Sequence, residues 1–258
     1  MTDEVTCQDL QGGIALITLN RPHKRNAINV SSSRALARFV EQTEANPDIR
    51  VVILTGAGPL AFCAGADLDD IAAGIGEQIA VNQAGMGGLI HVERRKPWIA
   101  AVRGAALGAG TELALACDMI IAGKSARFTL PEVKRGLIAG AGGIYRLMRR
   151  IAPTLAMELL LTGNRLDAER AAAIGLVNHV VDDEQVLETA LHLARQIAAN
   201  APLAVQETLQ IARQALALGE AQLRLDVEAA GMRLQASEDL QIGLRAFQEK
   251  RTPEWKVR

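Results

Sequence analysis

The amino-acid sequence predicts an α/β fold followed by a mainly helical C-terminal region. Apolar residues make up 49% of the 258-residue chain and aromatics only 3%, so Ala, Leu, Ile and Val must build a sizeable core. Short apolar runs alternate with segments of helical spacing as far as Pro153, which is the pattern of covered sheets. Beyond Pro153 almost every segment reads as helix.

The elements follow in order. Residues 5–8 and 14–19 read as strands, and Gly12-Gly13 between them is a hairpin signal. A loop over 20–29 leads to Ser31, Ser32 and Ser33, candidates for a helix cap. Ala35, Leu36, Phe39 and Val40 then recur at helical spacing. Residues 51–55 form a buried-strand run that stops at Gly56, and a helical stretch is expected through about Arg94. A strand over 98–102, a Gly-rich turn, a helix around 111–117 and a strand over 119–121 come next. Later helices are broken by Gly163, a strand-like run at 177–181 and Pro202. Ser237 caps a last amphipathic helix with Leu240, Leu244 and Phe247 on one face. The division falls near 195–202, giving a core over 1–197 and a helical region over 198–258.

Composition excludes several classes. A net charge of −1 and the lack of a strongly basic run give no reason to expect a nucleic-acid partner, although a few residues could still hold a phosphate locally. Cys7, Cys63 and Cys117 are odd in number and widely spaced, so they read as reduced apolar side chains rather than disulfides or metal ligands. The four His are scattered, with no helical pair suggesting zinc, and no metal is expected. Residues 1–10 carry acids and no apolar signal core, and no uncharged apolar stretch approaches the ~20 residues that span a bilayer. Residues 104–119 come closest, and Glu112 and Asp118 interrupt them. No membrane association and a reducing cytoplasm are therefore expected. There is no Gly-x-Gly-x-x-Gly in the first βα unit, no P-loop and no nucleophile elbow, so a nucleotide-fold oxidoreductase and a serine hydrolase are poorly supported.

Chemistry is concentrated in two acids. From Trp98 to Gly123 only Arg103, Glu112 and Asp118 are charged, and Glu112 sits among small and apolar neighbours. An unpaired buried carboxylate costs several kcal/mol, so Glu112 must be paired, protonated or placed in a wet cavity. Glu132 follows the strand-like Phe128-Thr129-Leu130 and a proline stop, and it precedes Gly136, Gly140, Gly142 and Gly143, a position suited to lining a cleft. Each acid taken alone also fits a structural role. The turns Ala64-Gly65-Ala66-Asp67 and Gly108-Ala109-Gly110 each lead into a helix, where unpaired amides suit an oxyanion, although such turns also serve plain packing.

Several ordered motifs resemble the crotonase (enoyl-CoA hydratase/isomerase) superfamily. They are Phe62-Cys63-Ala64-Gly65-Ala66-Asp67-Leu68, Ala105-Ala106-Leu107-Gly108-Ala109-Gly110-Thr111-Glu112-Leu113, and Pro131-Glu132-Val133 through Gly142-Gly143. Asn20-Arg21-Pro22 and Leu161-Thr162-Gly163 add to them, and the likeness runs over essentially the whole chain. It implies a crotonase-like spiral of β-β-α turns, a C-terminal helical trimerisation region, and a homotrimer or a dimer of trimers. It also implies an acyl-CoA thioester substrate whose oxygen is held by the amides of Ala66 and Ala109. Glu112 would activate water and Glu132 would deliver a proton to the α-carbon, making a lyase of the enoyl-CoA hydratase type, as in fatty acid metabolism. Coenzyme A is then part of the substrate and no separate cofactor is needed.

The resemblance further implies that Lys24 and Arg25 reach the nucleotide phosphates. Backbone groups around Ala64, Asp67 and Leu68 would hold adenine and pantetheine, and Phe247 and Lys250 of a neighbouring subunit would cover the nucleotide. Ile75, Ile79, Met86, Leu89 and Ile90 fit core packing, with one wall of the acyl pocket as the other reading.

The chain departs from the pattern at Ala109, where Gly is usual; the N–H survives, and an ordinary φ is expected there. Ala139 stands in place of a common Pro, Ile144-Tyr145 in place of Thr-Gln, and Gly140 lacks the third acid of dienoyl-CoA isomerases. A Δ3-Δ2-enoyl-CoA isomerase, which needs Glu132 alone, or a dehydratase of a polar acyl group stays open within the superfamily. A non-catalytic acyl-CoA binder is the alternative of a different class. RNA-binding relatives carry a Lys-rich helix, whereas residues 31–46 hold Arg34, Arg38 and no Lys.

Overall fold

The computed structural model describes residues 3–257. β1 (Val5–Leu10) and β2 (Ile14–Leu19) form the expected hairpin, paired from Val5↔Leu19 to Leu10↔Ile14. The loop after β2 ends at α1 (Val30–Ala45). Its cap is Asn29 rather than one of the serines. The Asn29 side chain accepts from the Ser32 amide at 2.7 Å, and the Ser32 hydroxyl accepts from the Asn29 amide at 3.0 Å. Ser32 thus acts from the third helical position as half of a reciprocal capping pair.

Three successive turns then each send one strand to a large sheet and one to a small sheet before a helix follows. The first turn is β3 (Val51–Gly56), β4 (Ala61–Cys63) and α2 (Leu68–Ala72). The second is β5 (Trp98–Val102), β6 (Ala105–Leu107) and α3 (Ala109–Ala116). The third is β7 (Met119–Gly123), β8 (Arg127–Thr129) and, after a 3-10 turn at Glu132–Arg135, α4 (Gly143–Arg150). Next come α5 (Pro153–Thr162), β9 (Leu166–Asp167), α6 (Ala168–Ala173), β10 (His179–Val181) and α7 (Val186–Ala198). The large sheet runs β1-β2-β3-β5-β7-β10, parallel beyond the hairpin, and the small sheet runs β4-β6-β8-β9. This is the β-β-α spiral.

Strand alternation explains the uninterrupted apolar runs. Val51 and Ile53 of β3, with Ile99 and Ala101 of β5, face Ala190, Ala194 and Ala198 of α7. The intervening Val52, Leu54, Trp98 and Ala100 face the core shared with the small sheet. Both faces of these strands are buried, so neither face can be polar.

Between α2 and β5 the expected continuous helix does not form. Only α2 and short 3-10 turns at Gly76–Ile79 and Asn82–Ala84 are helical, because Gly74, Gly76, Gly85, Gly87 and Gly88 break the periodicity that the apolar residues suggest. Ile79, Leu89 and Ile90 nevertheless enter the core, with Met86 packed against it.

The last helices, α8 (Pro202–Gln214), α9 (Glu220–Gln235) and α10 (Glu238–Glu249), bury little within the chain. Ser237 caps α10 as expected, accepting from the Leu240 amide. α8 is fastened to the core by Arg213, whose guanidinium forks onto both oxygens of Asp118 at 2.8 Å each. No helix among the described residues is long and apolar enough to cross a membrane.

Among the described glycines, the one set closest to the backbone of another element lies in α3. A Cβ added at Gly110 would stand 2.0 Å from the Cys63 carbonyl oxygen. Gly110→Ala is therefore expected to destabilise the fold by about 3 kcal/mol through overpacking against backbone, read as a lowered denaturant midpoint.

Candidate active site

α3 is buried at every residue, which is why its eight positions are small or apolar apart from Thr111 and Glu112. Thr111 pins the N-terminal end: its one hydroxyl proton is placed between the Ala106 and Thr129 carbonyls, at 2.7 and 2.9 Å, and its oxygen accepts from the Thr129 amide at 3.1 Å. Ala109, the first helical residue, is absent from the positive-φ residues, so it has the ordinary backbone expected of it. Gly108 before it takes φ +52°, a region that disfavours side chains. Among the described hydrogen bonds, the Ala109 N–H has no protein acceptor, as a helix N-terminus allows.

The loop carrying Ala66 lies against this terminus. A Cβ on Gly65 would fall 2.9 Å from the Leu107 carbonyl oxygen and 3.5 Å from the Ala109 nitrogen, and Gly65 has φ +95°. Backbone bonds stitch the loop to the segment after β2: Ala64 N–H donates to Arg25, Ile28 N–H to Gly65, and Asp67 N–H to Ile28. Ala66 itself pairs with Ile28 as an isolated bridge, and its N–H finds no protein acceptor among the described hydrogen bonds.

Glu132 comes up to this junction at Gly108, and Glu112 lies near enough to Glu132 to feel its charge. Glu112 is 2% exposed and accepts from the Gly143 amide at 2.8 Å. Burial and the nearby charge of Glu132 push its carboxyl from 4.5 to about 7, against the opposing pull of the Gly143 and Ala141 amides and Arg146. Glu132 is half-buried at the start of its 3-10 turn, and burial raises its carboxyl too. A Cβ on Gly108 would lie 2.9 Å from Glu132 Oε1, and one on Gly143 would lie 3.0 Å from Glu112 Oε1. Glycine at both positions is what lets the carboxylates come so close to the backbone. Glu132 Oε2 is buried with no protein hydrogen-bond partner, and Glu132 also lines an apolar cavity of about 340 Å³ with Leu130, Ile138, Ile144, Met148 and Leu160.

The other residues marked in the sequence are placed as follows. Asp67 is buried, caps α2 by accepting from the Asp69 amide, and pairs with Arg21 at 2.7 Å. Burial works to raise its carboxyl, but Arg21 and the Asp69 amide hold it below the usual range. Lys24 pairs with Asp69 at 2.7 Å on the surface, Arg25 is exposed with φ +51°, and Leu68 is 72% exposed. Phe247 is 85% exposed on α10, and Lys250 ends that helix in the left-handed region, so neither is packed into the cleft of its own chain. One further residue that residue pattern alone does not mark acts on Glu112: Arg146. Arg146 donates to the carbonyls of Ala141 and Ile90, bridging the two segments beside Glu112, and Tyr145 Oη lies 3.4 Å from His91 Nδ1. Among the described residues, no group of three or more His, Cys, Asp or Glu could hold a metal ion.

The enoyl-CoA hydratase/isomerase family model matches residues 9–258. A carnitinyl-CoA dehydratase from Proteus mirabilis is 40% identical over 253 residues, covering 96% of this chain and 97% of that protein. A 2,3-dehydroadipyl-CoA hydratase from Escherichia coli K12 is 40% identical over 257 residues, with 96% and 97% covered. The crystal structure of an enoyl-CoA hydratase from Mycobacterium marinum superimposes with a TM-score of 0.95 at 42% identity, covering 100% of both chains. The chain belongs to the enoyl-CoA hydratase/isomerase family, the crotonase superfamily.

The raised Glu112 carboxyl has a measurable consequence. Between pH 4.5 and about 7 the unfolded chain ionises this group while the folded chain keeps it protonated, so folding stability falls with rising pH and levels off above 7. Glu112→Gln removes that penalty. Relative to wild type, the variant is expected to gain roughly 3 kcal/mol between pH 4.5 and pH 8, measured by denaturant titration at both pH values.

Proposed function

We propose that this family member adds water reversibly across the double bond of a trans-2-enoyl-CoA, giving a 3-hydroxyacyl-CoA through a thioester enolate. Its family makes it an enzyme of the hydro-lyase type. The observation that carries the specific reading is the pair of raised carboxyls, Glu112 and Glu132, close enough to feel each other, with Glu132 beside the turn that leads to the free Ala109 amide.

The chemistry follows from that arrangement. The Ala66 and Ala109 amides donate to the thioester oxygen and stabilise its charge as the enolate forms. Glu112 takes a proton from water as the hydroxyl bonds to the β-carbon, and Glu132 gives its proton to the α-carbon, so water is consumed whole. A carboxyl of about 7 in Glu112 suits it to exchange protons near neutrality. The Gly143 amide orients the Glu112 carboxylate without neutralising it. Coenzyme A arrives with the substrate, and no further cofactor is required.

The nucleotide end is assigned to Lys24, Arg25 and the backbone from Ala64 through Asp67 to Leu68. The Lys24–Asp69 pair is exposed on both sides, and such pairs hold weakly, so Lys24 is free to exchange onto a phosphate. Leu225, Val227, Met232 and Phe247 are more than half exposed on α9 and α10. That supports a trimer, or a dimer of trimers, in which Phe247 and Lys250 cover a neighbour's nucleotide. The chain's three cysteines are free, which suits a reducing cytoplasm.

The names of the relatives, a carnitinyl-CoA dehydratase and a dehydroadipyl-CoA hydratase, both denote gain or loss of water on acyl groups with a polar end.

Crotonyl-CoA hydration, followed as loss of enoyl thioester absorbance, is expected to fall roughly 100-fold or more in both Glu112→Gln and Glu132→Gln. Isomerase activity untouched by Glu112→Gln, with no hydration in wild type, would replace this reading with the double-bond isomerase. Ala109→Pro removes the amide donor at the first helical position, where proline is tolerated, and puts its Cδ where the hydrogen stood. Hydration should drop about 10²–10³-fold with helix content unchanged by circular dichroism.

A further inference from the structure

At the end of α3 away from the glutamates, a second cavity of about 670 Å³ opens between α3, α4, α8 and the segment before β5. Six arginines line it: Arg94, Arg95, Arg146, Arg149, Arg150 and Arg213. Only two carboxylates share the lining, Glu93 and Asp118, and Asp118 is already committed to both forks of Arg213 and to the Trp98 amide.

The remaining guanidiniums are satisfied by neutral partners or by none. Arg94 donates to the Ala116 carbonyl at 2.6 Å, Arg150 to the Cys117 carbonyl, and Arg146 to those of Ala141 and Ile90. Arg94 Nε and Nη1 are buried and without a partner, while its guanidinium lies 5.2 Å from the centre of the Trp98 ring. Arg95 and Arg149 are exposed at the rim, and neither forms an ion pair among the described residues.

Carbonyls at the end of a helix compensate part of this charge, about half an elementary charge in all. Arginine does not shed its proton to relieve the remainder. Asp118 is engaged, Glu93 is exposed and Glu44 acts on Arg94 only through space, so clustering these cations is costly unless an anion joins them, and guanidinium forks match the geometry of carboxylate and phosphate oxygens. We propose that this cavity is a binding site for a small oxyanion, a phosphate- or carboxylate-bearing molecule, held by Arg94 and Arg149 and rimmed by Arg95. The site is separate from the glutamate pair, with Arg146 in the wall between them.

The test uses inorganic phosphate and the full chain at fixed ionic strength, with chloride replacing phosphate in the reference. Wild type is expected to show saturable binding by calorimetry and a rising Tm, both levelling off together. Arg149→Gln, at an exposed position that leaves the fold intact, should weaken the apparent Kd about tenfold, and Arg94→Gln should abolish saturation. Lys24→Ala should leave it unchanged. Phosphate acting no differently from chloride would overturn the proposal. So would binding indifferent to Arg149→Gln, or binding lost only in Lys24→Ala, which would place the anion at the nucleotide loop.

Discussion

α3 is buried along its whole length, and a buried helix cannot leave the unpaired groups at its ends to water. The four N–H groups at one end and the four carbonyls at the other must find partners in the protein or in a ligand. The chain resolves the two ends in opposite ways. At the C-terminal end, Arg94 and Arg150 donate to the carbonyls of Ala116 and Cys117, and Asp118 just beyond recruits Arg213 from α8. At the N-terminal end the Ala109 amide is left open, facing the loop that holds Ala66.

This arrangement dictates much of what surrounds it. A helix sunk this deep needs close backbone neighbours, hence Gly110 against Cys63 and the double-duty hydroxyl of Thr111. Its open end provides positive potential beside Glu132, whose carboxyl burial nevertheless raises. The same helix therefore joins the floor of the cleft at one end to the fastening of the C-terminal region at the other.

The buried acids show how environment separates function from architecture. Asp67 and Glu112 are both nearly inaccessible, at 5% and 2%. Asp67 is met by Arg21, and its carboxyl lies below the usual range, as a structural anion does. Glu112 has no ion pair among the described residues, and burial with a second carboxyl outweighs the Gly143 and Ala141 amides and the more distant Arg146, so it lies near 7. A carboxylate in a direct ion pair is locked; one outside an ion pair, held up by burial, is free to exchange a proton.

Much of this was determined by the sequence alone. The hairpin at Gly12-Gly13, the doubly buried strands at 51–56 and 98–102, and the isolation of Glu112 among small residues are local facts, visible in periodicity and in the price of burying charge. Ordered motifs supplied the family and the pairing of Glu112 with Glu132. The small sheet was not legible, because three-residue strands such as Ala61–Cys63 and Ala105–Leu107 are too short for any period to show. The segment before β5 read as helix because its apolar spacing masked its glycines. Only the tertiary structure decided which cation meets which anion: Arg21 with Asp67, Arg213 with Asp118, and Arg94 and Arg150 with carbonyl oxygens in place of an ion pair among the described residues. Those partners lie in distant segments, brought together by the spiral, and pairing across such distances leaves no local pattern in the chain.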